Sequence, residues 1–211
     1  MAIAATDVSA RGRPKSKTKQ RQILEAAVEL FLDKGFDGAS MDEIAVRAGV
    51  SKQTVYSHFN NKEELFSSCI EQKCVSYELS REFFDHELPV RDMLERIAHK
   101  FSSMLLAPEV VRMKRILCAT AEQSPQLSDL FFEAGPRNMV AVLSNYLDSK
   151  AADGELEVEN PETAARQLLY MLHGEGHNCA LMNTTDRPPE EAVYAYVDDC
   201  VDLFMRAYGP R

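Results

Sequence analysis

Apolar side chains recur at Ile23, Leu24, Ala27, Leu30 and Phe31, the three-and-four spacing that draws one stripe along an α-helix. The pattern predicts a first helix from Ser16 or Thr18 to Lys34, ended by Gly35. Three short helices then follow, each opened by its own cap. Ser40 with Glu43 is a capping box that starts a helix at Met41, and Gly49 supplies the turn after it. Ser51 caps the next, whose apolar side is Val55 and Phe59, and Asn61 with Glu64 opens a third. Phe36, Ile44, Ala45, Ala48, Val55, Phe59 and Leu65 are expected to close with the first stripe into a small three-helix core.

The helix opened at Asn61 meets no proline before Pro89, so the pattern lets it run past Phe84. At ~1.5 Å per residue such a helix would span well over ~30 Å. Further helices are predicted to open near Val90, Pro108, Gln126, Pro161 and Pro189, because proline is tolerated in a helix's first turn. Pro136 after Gly135 predicts a break or kink, and Asp153-Gly154 a loop. No segment alternates like a strand and no internal repeat occurs, so the chain reads as all-α.

The turn at Gly49 joins two helices of which the second is barely two turns long, a helix-turn-helix pattern. Lys52, Gln53, Thr54, Ser57 and His58 give that second helix a polar outer surface suited to base edges and phosphates. A surface helix in an ordinary helical hairpin fits the same pattern.

Charge changes the picture. The net charge is −9, but residues 1–60 carry +2 and residues 61–211 carry −11. An acidic body repels phosphate while a basic end attracts it, which orients the chain toward a polyanion. Arg11, Arg13, Lys15, Lys17, Lys19 and Arg21 occur with no acid among them. Arg11 and Arg13 belong to the stretch Arg11-Gly12-Arg13-Pro14, which cannot be helical, and an extended arm of this kind suits an A·T-rich minor groove. A solvated tail making weak phosphate contacts is the other reading. Residues 1–15 are expected to be a disordered basic arm, 16–60 a small helix-turn-helix head and 61–211 a helical body.

The five cysteines, Cys69, Cys74, Cys118, Cys179 and Cys200, lack CxxC spacing and are expected as free thiols. Cys69 and Cys74 leave a thiol-sensing reading open. No apolar run approaches a membrane span and the first residues lack a signal peptide's apolar core, so a cytoplasmic location is expected. No nucleophile elbow, P-loop or dinucleotide fingerprint is present, and no cofactor is expected.

The order Gly49-Val50-Ser51, Thr54-Val55-Tyr56, His58-Phe59 and Asn61-Lys62-Glu63-Glu64-Leu65-Phe66 resembles the tetracycline-repressor (TetR) family of bacterial transcription regulators. Ile23-Leu24-Glu25-Ala26-Ala27, Leu30-Phe31 and Lys34-Gly35-Phe36 match the family's first helix and following turn, so the resemblance covers about Gln20 to Phe66. It implies a repressor that grips an inverted-repeat operator in double-stranded DNA as a homodimer and is released by a small apolar or aromatic effector. Carried over by position, Lys52, Gln53 and Thr54 would read base edges, and Tyr56, His58 and Lys62 would hold phosphates. Ser40 would add a phosphate contact from a helix N-terminus. Met41 and Asp42 stand where the family often has a basic or hydroxyl group.

Methionines and aromatics at helical spacing behind the head read as core or as the lining of an effector cavity. The candidates are Met93, Ile97, Phe101, Met104, Leu117, Cys118, Met139, Leu143 and Tyr170, with His173 and His177 as a polar rim. Two C-terminal stripes, with Leu168, Leu172 and Gly176 on one and Val193, Val197, Val201 and Phe204 on the other, read as intrachain packing or as a dimeric four-helix bundle. His173 and His177 have i,i+4 spacing, which can hold one metal, with Glu175 or Cys179 as a candidate further ligand. His173, Glu175 and His177 are the best set for a metalloenzyme or metal-responsive reading. Gly174 and Gly176 cost a helix about 1 kcal/mol each, so something is expected to approach the backbone there.

Overall fold

The computed structural model describes residues 17–210; Arg11 and Arg13 lie outside the described residues. Every regular element among the described residues is helical. The head consists of α1 (Lys17–Gly38), α2 (Met41–Ala48), α3 (Lys52–His58) and the start of α4 (Lys62–Ser76). Behind it come α5 (Val90–Leu106), α6 (Pro108–Thr120), α7 (Pro125–Phe132), α8 (Asn138–Ala152), α9 (Pro161–Met171), α10 (Gly174–Met182) and α11 (Glu190–Tyr208).

The caps form as the residues dictate. Ser40 Oγ accepts from the Glu43 amide at 3.2 Å while the Ser40 amide donates to the Glu43 carboxylate at 3.2 Å. Gly49, at φ 66° and ψ 33°, closes α2. Ser51 Oγ and Asn61 Oδ1 accept from the amides of Thr54 and Glu64 at 3.1 and 2.7 Å. Gly35 (φ 73°, ψ 174°) leaves helical geometry and ends the first helical run as expected, and a short second run follows the kink to Gly38. The kink brings Phe36 into an aromatic trio with Phe31 and Phe66, with centroids 5.5–5.6 Å apart.

The expected extension of α4 past Phe84 is not what forms. The helix stops at Ser76, about 22 Å from its start at ~1.5 Å per residue. Glu78 adopts the left-handed region (φ 58°), and the amides of Glu78 and Leu79 bond back to Val75 O and Cys74 O at 3.0 Å. This is a Schellman closure with glutamate where glycine usually sits. Arg96 and Lys100 of α5 hold the Glu78 carboxylate at 3.0 and 3.4 Å, so α4 ends clamped to α5.

At Pro136 the regular α-helix is interrupted without the chain leaving helical form. Residues Glu133–Arg137 form a π-helical turn between α7 and α8, which absorbs the missing amide donor. Gly135 in this turn lies so close to α4 that an added Cβ would meet Ile70 Cγ2 at 3.1 Å.

Two apolar cores result. One fills the body between α5, α8, α9 and α11. The other belongs to the head but is completed by Phe66 and Cys69 of α4, Met113 and Leu117 of α6 and Leu127 of α7. The head is therefore not packed on its own residues alone. Among the described residues, no helix is long and apolar enough to cross a membrane.

Candidate nucleic-acid interface and effector cavity

Of α3, only Val55 is fully buried, and it anchors the helix to the head core. Lys52, Gln53, Tyr56 and Ser57 face solvent, and Thr54 and His58 are half-buried. Lys52 Nζ lies 2.5 Å from the Asp42 carboxylate, with both side chains more than half exposed. Such a pair contributes about 0–1 kcal/mol, so the ammonium can exchange its partner. Thr54 Oγ1 is 2.9 Å from Ser51 Oγ, which commits it partly to the cap. Met41 is buried in the head core and presents no polar group outward.

Lys62 is placed differently from the phosphate contact expected of it. Its ammonium donates to Phe36 O at 2.6 Å and Ala39 O at 3.0 Å and sits 4.4 Å over the Phe36 ring. It closes the chain after the Gly35 kink instead of pointing to a partner. Ser40 is exposed at the start of α2, but its hydroxyl already serves the capping box. The Glu43 carboxyl is held below the usual carboxylate range, first by the Lys34 ammonium at 2.6 Å and then by Ser40.

Behind the head lies a cavity of about 490 Å³, lined almost entirely by apolar side chains of α4 to α10. Of the candidate lining residues, Phe101, Met104, Leu117, Cys118, Met139, Tyr170 and His173 face it. Met93, Ile97 and Leu143 do not; each is at most 1% exposed and belongs to the body core, where the bulk of α5 and α8 closes over it. His177 lies just behind the wall. Val28 of α1 and Cys69 and Ile70 of α4 also line the cavity, so it reaches the head directly.

Three charged groups interrupt this apolar wall. Lys73 of α4 and Glu109 of α6 form an ion pair within it. Lys114 of α6 stands apart, its ammonium 3.2 Å from His177 Nε2 and 3.5 Å from His173 Nε2. His173 Nδ1 lies 3.0 Å from Leu169 O, and His177 Nδ1 lies 3.1 Å from Leu105 O. Burial, followed by the Lys114 charge, depresses both imidazoles, His177 to about 4, and burial likewise lowers Lys114. Sequence reading missed Lys114, although a lysine on the same face of α6 as Val110, Leu117 and Cys118 was the available signal.

The metal reading finds little support in this arrangement. A lysine ammonium already occupies the space between the two Nε2 atoms, and Glu175 is exposed. The thiol reading fares similarly. Burial pushes the Cys69 thiol up to about 12 and the Cys74 thiol up to about 11, so neither supplies a reactive thiolate near neutral pH.

The C-terminal stripes are intrachain packing. Leu168, Leu172, Val197, Val201 and Phe204 are each at most 2% exposed within one chain and fill the body core. The close approach expected near the glycines is made by α11: a Cβ on Gly174 (φ 52°) would lie 2.7 Å from Tyr196, and one on Gly176 would lie 3.0 Å from Val193. The large apolar groups left on the outer faces of α10 and α11 are Met182, Tyr194, Tyr196 and Leu203.

Two families match this chain. That described as "Bacterial regulatory proteins, tetR family" matches residues 23–69, and "AefR-like transcriptional repressor, C-terminal domain" matches residues 92–210. The chain is 46% identical over 63 residues to the HTH-type transcriptional activator FasR of Mycolicibacterium smegmatis, covering 29% of each protein. The chain thus spans under a third of that relative's length. Similar solved structures cover nearly all of it. One is a TetR-family regulator from Mesorhizobium loti MAFF303099, with 30% identity, TM-score 0.73, and 92% and 99% of the two chains covered. Another is the flavonoid-responsive regulator FrrA, with 31% identity, TM-score 0.71, and 93% and 100% covered. Two family matches that together span most of the chain, on a helical head and body of this kind, mean that the chain belongs to the TetR family of bacterial transcriptional regulators.

Proposed function

We propose that this chain is a repressor that leaves its operator when a small apolar or aromatic ligand fills the cavity. The observation that carries the reading is shared packing: Cys69, Met113 and Leu117 belong at once to the cavity wall and to the head core. A ligand that moves these side chains moves the floor on which α1 and α4 rest. It releases DNA to the extent that it binds the displaced head more tightly, and a few kcal/mol of difference suffices. The similar regulator FrrA is flavonoid-responsive, which supports an aromatic ligand.

On the DNA side, Lys52, Gln53 and Thr54 are assigned to base edges, and Tyr56, His58 and Ser40 to phosphates, with Arg11 and Arg13 in the minor groove. Lys62 is left out because two carbonyls already hold it. Two chains pair through the outer faces of α10 and α11, as is usual in the family, with Met182, Tyr196 and Leu203 at the seam. A mobility-shift titration on fragments of the source genome tests the assignment of α3. Gln53→Ala is expected to cost about 1–3 kcal/mol and relax sequence choice at one position. Unchanged binding by Gln53→Ala and Tyr56→Phe alike would remove α3 as the reading helix.

A further inference from the structure

We infer that the cavity is built for a ligand carrying one anionic oxygen, such as a carboxylate or a phenolate, on an apolar or aromatic body, with Lys114 as its counter-ion. The inference rests on the ligand-cavity reading above and narrows it to a chemical class.

A carbonyl oxygen only accepts, so Nδ1 of each histidine carries the proton directed at Leu169 O or Leu105 O. Each Nε2 therefore presents a lone pair, and both lone pairs face the Lys114 ammonium. Two of its three N–H groups are thereby taken by neutral acceptors, leaving one for the cavity that Lys114 lines. Imidazole nitrogens fix the ammonium in place without neutralising it.

Charge counting points the same way. Lys73 and Glu109 cancel in the wall. Among the described residues no carboxylate lies within 4.0 Å of Lys114, whereas Lys73 and Lys150 each have one. A half-buried cation without a counter-ion is costly, and an anion delivered by a ligand relieves that cost. The surroundings suit a flat apolar body beside the charge. Tyr170 stacks on His173 at 5.6 Å, and Phe101 meets the same ring edge-on at 5.9 Å.

The test uses two probes with one ring system: 8-anilinonaphthalene-1-sulfonate, which carries an anionic oxygen group, and N-phenyl-1-naphthylamine, which does not. Fluorescence titration of the full chain is expected to show the sulfonate binding at least as tightly as the neutral amine. Lys114→Met should weaken the sulfonate by at least about tenfold, a loss of about 1.4 kcal/mol, and change the amine less than about twofold. Retained amine binding also reports that the variant's cavity is intact; should the variant not fold, the wild-type comparison decides alone. Wild type binding the sulfonate more weakly than the amine, or an equal loss of both in a Lys114→Met variant that keeps the wild-type circular dichroism, overturns the inference and leaves an apolar pocket. Failure of both probes to bind wild type overturns the cavity reading, and this one with it.

Discussion

His177 shows how one side chain ties stability to pH. Its folded pKa, about 4, is below the unfolded value of 6.5, because burial and then Lys114 disfavour its charged form. The unfolded chain therefore binds more protons between these values, so the His177 contribution is complete above pH 6.5 and is lost as pH falls toward 4. The shift corresponds to on the order of 3 kcal/mol. Melting of wild type should fall more steeply than that of His177→Gln across this window, and parallel curves would remove His177 as the cause. Asp42 makes a second prediction at this scale. It holds Lys52 at 2.5 Å on the surface assigned to DNA and adds a repelling charge there. Asp42→Asn is expected to raise DNA affinity severalfold and steepen its salt dependence, and weaker binding in a salt titration would speak against this face. The caps were legible because each rests on contacts three residues away. The surroundings of Lys62 and Lys114 were not, because their partners lie 23 to 63 residues distant in the chain.

Among the elements, α6 carries most of the argument. Its one face, Glu109, Val110, Met113, Lys114, Leu117 and Cys118, lines the cavity, while Met113 and Leu117 also complete the head core. Arg112 of the same helix reaches Asp33 of α1 at 3.4 Å. Leu117→Ala should cost about 2–5 kcal/mol. The loss should appear in the head, as faster amide exchange in α1, although Leu117 belongs to a helix behind it. Exchange accelerated only in the body would show that the two cores are uncoupled. Helix starts were legible from proline and caps. The stop of α4 was not, since its left-handed position is filled by Glu78, and the cations that hold it there belong to α5.

At the level of the whole molecule, the all-α architecture and the basic head on an acidic body followed from periodicity and charge. Which apolar stripe faces inward did not, because an intrachain core and a dimer seam have the same spacing. Val197 is fully buried, so Val197→Asp should unfold the body rather than split a dimer. Leu203, 55% exposed, gives the cleaner probe. Leu203→Asp should leave folded chains that sediment as monomers and bind DNA poorly, whereas an unchanged dimer would place the seam elsewhere. Under the proposed pairing, two heads would meet DNA along one face, with half-sites about 34–36 Å apart or a multiple of that. The most direct measurement is therefore selection of bound duplexes from a random pool with the purified chain. An inverted repeat with that spacing, bound by two chains, is the expected result. A pool without any enriched sequence, or a single half-site bound at full affinity by one chain, would contradict it.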